Sequence, residues 1–234
     1  MEEILVNGAK AMGLPLDPAV VPAFRAYYTL LEEKSRVMNL TAIHGEQDVA
    51  RLHFLDCLAL MTLYDFTGKT VIDIGSGAGF PGFPIAIAGK SVKLTCLDAQ
   101  QKRIDFLRQV ADAIGRSDII CLHARAEDAA LTGLGGSFDI AVSRAVARLN
   151  ILCELCIPFV KVGGVFIAMK SVDTEEEINE AKHAIKILGG KIERVEDYSI
   201  PGTEVTHRAV IIRKMAPTPK GYPRRFAKIQ KAPL

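Results

Sequence analysis

The residues best suited to holding a ligand stand together in Asp73-Ile74-Gly75-Ser76-Gly77-Ala78-Gly79-Phe80-Pro81-Gly82. Glycines at 75, 77 and 79 permit positive φ and let main chain approach a ligand with no side chain between them. The preceding run 70–74 is short and apolar, which predicts a strand, and the spacing predicts a helix over 82–88. A glycine-rich turn from strand to helix marks a nucleotide-type pocket. A dinucleotide fingerprint would read G-x-G-x-x-G, with a pyrophosphate on the helix N-terminus. Here the spacing is G-x-G-x-G, position 80 is Phe, and an acid stands two places before the first glycine. S-adenosylmethionine carries an amino group and a sulfonium but no phosphate, so an acid beside the loop suits it better than NAD, the alternative.

Asp98 closes the next predicted strand, 92–97. A carboxylate there can accept two hydrogen bonds from a ribose diol, or it can cap the helix that begins near Gln100. Arg125-Ala126-Glu127-Asp128 follows the third strand. A backbone N–H and a carboxylate at that height can read an adenine ring, while the alternative for Glu127 is a solvated first helical turn. His53 and Asp56 lie one helical turn apart, either paired on a surface or lining the site. Cys153-x-x-Cys156 falls in an apolar helical run with no second Cys or His pair nearby, which points to buried packing and away from zinc.

The elements that must position these groups follow from periodicity. Asp17-Pro18 reads as a helix start, with Val20, Phe24, Tyr27, Tyr28 and Leu31 on one face. A second helix is predicted over 46–63. Then strands near 70–74, 92–97, 118–122, 138–142 and 164–169 alternate with helices, among them 150–160 and 174–188, the latter with Thr174 as its cap. The last two strands, 191–198 and 205–213, have no helix between them and should form an antiparallel hairpin. Such alternation makes a mostly parallel α/β sheet covered on both faces. Five units plus a hairpin fit the seven-stranded, Rossmann-like sheet of class I methyltransferases, with a helical N-terminal extension. The expected division is 1–66 for that extension, 67–214 for the sheet domain and 215–234 for a basic tail.

The chain has 234 residues and a formal net charge of +2. Eight Lys or Arg and no acid lie within 205–234, which leaves 21 basic against 27 acidic groups before it. An acidic body with a basic end is suited to touching a polyanion. No apolar run reaches a membrane-spanning length, the N-terminus lacks the basic region of a secretory signal, and five scattered cysteines form no disulfide framework. A cytoplasmic protein with no membrane partner is therefore expected, with a monomer as the default.

Beyond the glycine loop, the chain resembles one family along nearly its whole length, the 16S rRNA guanine-N7 methyltransferases called RsmG. The likeness is carried by Asn39-Leu40-Thr41-Ala42-Ile43, His53-Phe54-Leu55-Asp56, the run from Asp73 to Pro84, and Leu97-Asp98 with Lys102-Arg103. It continues through Arg125-Ala126-Glu127, Ser143-Arg144-Ala145-Val146-Ala147, Lys170 and the tail Tyr222-Pro223-Arg224-Arg225. The chain departs from the family at Lys34-Ser35, where Trp-Asn is frequent, and at His207-Arg208 and Phe226-Ala227-Lys228. The resemblance implies that Gly75, Phe80, Ala126, Glu127 and Arg144 contact S-adenosylmethionine; Gly77 and Asp98 join them from the loop and the fold class. For RNA, Arg144, Lys170, Arg208, Arg224 and Arg225 are the candidates, with a surface salt bridge as the other reading of Arg144. Asn39 either faces the substrate or ends the helix before it.

The activity so implied is transfer of a methyl group to N7 of a guanosine in 16S rRNA, free or within the small subunit. Guanine N7 has a free lone pair, so no residue is assigned a general-base role and no metal is expected. The competing readings are a methyltransferase for another RNA, a small molecule or a protein, and an RNA-binding module that keeps the fold without catalysis.

Overall fold

The computed structural model describes residues 1–144 and 146–234. Ala145, within the Ser-Arg-Ala-Val segment, lies outside the described residues. The chain begins with helices α1 (Glu2–Ala11) and α2 (Val21–Met38), the short α3 (Glu46–Val49), and α4 (Asp56–Leu63), with a π-helical segment Ala50–Leu55 leading into α4. Then follow β1 (Thr70–Ile74), α5 (Gly82–Ala88), β2 (Lys93–Asp98), α6 (Gln101–Ala113), β3 (Ile120–His123) and α7 (Ala126–Ala129). The second half carries β4 (Phe138–Arg144), α8 (Leu149–Cys156), β5 (Val160–Ser171), α9 (Glu175–Ile187), β6 (Gly190–Ser199), β7 (Thr206–Lys214) and α10 (Phe226–Lys231).

The seven strands form one sheet in the order β3-β2-β1-β4-β5-β7-β6. Neighbours from β3 to β5 pair in parallel, and β7 runs antiparallel to both β5 and β6. The order therefore reverses between β1 and β4, and a ligand cleft opens beyond the carboxyl ends of strands at such a point. Alternation along the strands supplies both faces. Val71, Val165, Ile167 and Ala209 join the core beneath α2, α5 and α6, whereas Ile72, Ile74, Phe166 and Val210 join the core beneath α8 and α9. Leu5 of α1 and Phe24, Tyr27 and Leu31 of α2 belong to the first of these cores, so the N-terminal helices share the sheet's own interior. Residues of the end segment, Tyr222, Phe226, Ile229 and Leu234, pack on the second.

The predicted class and hairpin match this sheet. Four local features differ from expectation. Helix α1 is an addition to the expected elements; its buried Leu5, Gly8 and Ala9 recur at helical spacing. The third strand begins at Ile120, two residues later than predicted. The helix expected over 150–160 ends at Cys156, and Pro158 turns the chain into β5. Thr174 precedes α9, but its hydroxyl donates to the Ser171 carbonyl (3.0 Å) and caps no helix N–H.

Candidate active site

The loop after β1 is held from beneath by backbone bonds. Gly75 N–H and Ser76 N–H both donate to the Leu97 carbonyl of β2 (2.8 and 3.2 Å), and Ser76 Oγ donates to the Asp73 carbonyl (2.9 Å). Tyr27 of α2 donates its hydroxyl to the Ala78 carbonyl, so the N-terminal extension fixes the loop from outside the sheet. Two glycines are required by space as well as by φ. At Gly75 (φ 69°) a Cβ would lie 2.7 Å from a Val146 methyl, and at Gly79 (φ 102°) it would lie 2.6 Å from the Tyr27 hydroxyl.

This loop forms one wall of a cavity of about 470 Å³ at the switch in strand order. The cavity brings together Gly75, Gly77, Phe80, Asp98, Ala126, Glu127 and Arg144. Asp98 is 3% exposed and does two things at once. Its Oδ1 accepts the Gln100 N–H at the start of α6 (2.9 Å), and its Oδ2 accepts the Gly77 N–H (3.0 Å) with Arg103 3.3 Å away. Helix capping and ligand reach are compatible here because a carboxylate has about four lone-pair directions. Glu127 is buried at the cavity wall with Arg125 3.8 Å away, so it does not face bulk water. Asp73 behaves differently from its expected part as an acid beside the ligand. It is fully buried under the loop, outside the cavity lining, where its Oδ2 takes the Gly82 N–H at the start of α5 (2.8 Å) and its Oδ1 has no partner among the described residues. Burial pushes this carboxyl up to about 7, against the pull of the Gly82 N–H.

On its far side the cavity ends at a stack of three groups. The His53 ring lies 4.3 Å from the Phe80 ring at 20°, and the Arg144 guanidinium sits 4.7 Å from the Phe80 centroid. Arg144 Nη1 donates to Asp56 Oδ2 (3.0 Å) and Nη2 to His53 Nδ1 (2.9 Å). Because a guanidinium only donates, His53 Nδ1 must be the bare, accepting nitrogen. Its proton is then on Nε2 and faces Thr41 Oγ1 at 2.7 Å. The imidazole is thereby fixed as one neutral tautomer, and burial, reinforced by the Arg144 charge, lowers its pKa from 6.5 to about 3.

Asp56 Oδ1 completes the network by accepting from Tyr198 Oη (3.0 Å) and His207 Nδ1 (2.8 Å). Burial would raise this carboxyl, but the His207 hydrogen bond and the Arg144 charge outweigh it and hold the pKa below the usual value. His53 and Asp56 thus do not pair with each other; both serve Arg144. Asn39 takes a left-handed conformation (φ 49°) and ends α2, two residues before the Thr41 that meets His53.

Beyond Arg144 and His53 lies a second cavity of about 500 Å³, lined also by Asp56, Met169, Lys170, Glu177 and His207. Among the described residues, Arg144 and His53 alone line both cavities. The remaining basic candidates divide. Lys170 Nζ is tied to the Ala147 carbonyl (2.7 Å) and to Glu177. Arg208 is clamped between Asp197 and Glu175, and Arg224 reaches inward to Glu154, a carboxylate with no solvent exposure. Both candidates are thus paired with carboxylates of the chain, Arg208 with two exposed ones and Arg224 with a buried one. Arg225 is exposed, with no ion-pair partner among the described residues. Cys153 and Cys156 are buried, and no group of three or more His, Cys, Asp or Glu among the described residues is arranged to hold a metal.

A sequence profile described as rRNA small subunit methyltransferase G matches residues 21–206. Full-length relatives named ribosomal RNA small subunit methyltransferase G agree with it. One from Clostridium beijerinckii is 43% identical, covering 99% of this chain and 98% of its own, and one from Acetivibrio thermocellus is 40% identical over 100% and 97%. The chain belongs to the rRNA small subunit methyltransferase G family. Solved structures share the fold at low identity. TrmN from Thermus thermophilus has a TM-score of 0.53 at 21% identity, covering 77% of this chain and 53% of its own. TYW2 from M. jannaschii, solved in complex with AdoMet, has a TM-score of 0.51 at 17% identity, covering 63% and 69%. Within this small-subunit methyltransferase family member, the groups that a linear motif could not assign to the site are His207, Tyr198 and Phe226. All three come to the site from segments distant in sequence.

Proposed function

We propose that this protein transfers a methyl group from S-adenosylmethionine to N7 of a guanosine in 16S rRNA. The observation that carries the reading is the pair of adjoining cavities, one with a bare glycine wall and a buried carboxylate, the other beyond Arg144 and His53. The first suits the methyl donor. Gly75 and Gly77 offer main chain without side chains, Asp98 has capacity left for a ribose diol, and Glu127 with the Ala126 backbone can meet an adenine edge from the same wall. When bound, the donor supplies an electrophilic methyl on a sulfonium that leaves readily.

The second cavity suits the base. His53 and Arg144, shared with the first cavity, stand at its entrance as two flat groups, and Lys170 and Glu177 can meet polar base edges. N7 is already nucleophilic, and its attack on the methyl group requires no proton to be removed first. Both nitrogens of His53 are engaged, and both oxygens of Asp56 accept hydrogen bonds. Rate enhancement then rests on alignment of the two reactants, which is worth up to ~7–11 kcal/mol in well-oriented systems. Arg103 and Arg125 in the wall of the first cavity, with the exposed Arg225 next to Phe226, supply positive charge to an approaching phosphate backbone.

Incubation with methyl-labelled donor and either undermethylated small subunits or free 16S rRNA, followed by mapping of the modified base, tests the reading. Label at one guanosine N7 supports it. Label on another acceptor, or no transfer to either RNA, refutes it.

A further inference from the structure

The end segment of the chain does something other than present charge. Arg224 binds Glu154 of α8 three ways: its backbone N–H (2.8 Å) and Nε (2.8 Å) donate to Oε1, and its Nη2 donates to Oε2 (2.6 Å). Its Nη1 reaches back to the Ala232 carbonyl (3.0 Å), which closes the segment on itself around α10. Glu154 is fully buried, and a buried carboxylate is tolerated only with a partner of opposite charge. Arg224 is that partner. Ile229, with no exposure, anchors the other side of α10 in the core beneath α8. The segment is therefore clasped to the body at two points.

Between those points stands Phe226, and its ring forms part of the wall of the glycine-lined cavity. It does so beside Leu155, the neighbour of the clasped Glu154, and beside Ala124 and Ala126 of the turn after β3. The Arg125 guanidinium lies 5.8 Å from its centroid on the rim. Asp98 fixes where a ribose would lie, and the Phe226 end of the cavity is the next stretch along the strand ends, past β2 toward β3. A flat, apolar face with a polar edge fits that place, and an adenine has that shape.

We infer that Phe226, seated by the Arg224–Glu154 clasp, is a binding residue for the adenine ring of the cofactor, so that the C-terminal segment completes the cofactor cavity. This rests on the reading of that cavity as the S-adenosylmethionine site. It also assigns the tail's inward-facing arginine a task that its basic composition did not suggest.

The test is calorimetry of the full chain with S-adenosylmethionine, comparing wild type with Phe226→Ala, alongside KM values for both substrates. Loss of an aromatic contact to a base weakens binding by about tenfold or more, and the KM for RNA should not move. Wild-type affinity in the variant overturns the inference, and a raised KM for RNA at unchanged cofactor affinity would assign the segment to RNA. Hydrogen exchange on the wild type gives a readout independent of how the variant folds: the cofactor should slow exchange across 224–231, and unchanged exchange there overturns the inference. If the wild-type protein itself does not bind the cofactor, the reading of the cavity fails first, which is a distinct result.

Discussion

Replacing His53 by glutamine should change how stability responds to acid, by an amount that follows from the network. In the folded chain His53 Nδ1 accepts from Arg144 and the ring is buried, so its pKa falls from 6.5 to about 3. Between those values the unfolded chain takes up a proton at this residue that the folded chain refuses. Stability from this source is full above pH 6.5 and is lost as pH falls. From pH 7 to pH 5 the linkage amounts to about 2 kcal/mol. Asp73 works the other way: its folded pKa is raised to about 7, so the folded chain holds a proton that the unfolded chain releases, and acid favours folding by a similar amount over the same interval. The wild-type profile should therefore be nearly flat in these two contributions, and the variant makes them separable. A glutamine side chain can still offer a carbonyl to Arg144 but cannot titrate. Urea unfolding at pH 7 and pH 5 should show the His53→Gln protein gaining about 2 kcal/mol at pH 5 relative to the wild-type change. Identical pH dependence in the two proteins, or an imidazole nitrogen spectrum showing His53 protonated at pH 5, would refute the tautomer and the network built on it.

Other consequences are equally direct. Asp98→Asn should weaken S-adenosylmethionine binding by about 10- to 100-fold in calorimetry, because a charged acceptor for the ribose becomes a neutral one. Arg224→Met should destabilise the chain by about 3–5 kcal/mol in urea unfolding, since it leaves the Glu154 carboxylate buried alone. Arg208→Met should cost far less in the same assay, because its partners Asp197 and Glu175 are exposed. Gly79→Ala should lower the melting temperature and cofactor affinity together, since φ of 102° and the Tyr27 hydroxyl both oppose a Cβ.

Local chemistry was the legible part of the sequence. The glycine spacing, Asp98 at a strand end and Ala126-Glu127 after the next strand each declare themselves within a few residues, and the parallel sheet follows from alternation. The Asp56 cluster was not legible, because Tyr198 and His207 lie 142 and 151 residues away along the chain and meet it only through the β6–β7 hairpin. The packing of the tail was hidden for a related reason. Composition registers the charge of Arg224 but not its direction, and the direction is set by one buried acid on α8. Glu154 was the available signal: a carboxylate inside an apolar helical run needs a cation from somewhere. Asp73 misled in the opposite sense, since its nearness to the loop in sequence placed it under the glycines and not among the ligand contacts.

A crystal structure with S-adenosylhomocysteine and guanosine monophosphate bound together would bear most directly on the arrangement of the two cavities. The ribose should hydrogen-bond to Asp98, the amino-acid portion should lie along Gly75 and Gly77, and guanine N7 should face the sulfur from the cavity beyond Arg144. A nucleoside lying away from Asp98, or a guanine bound with N7 turned from the sulfur, would contradict the account.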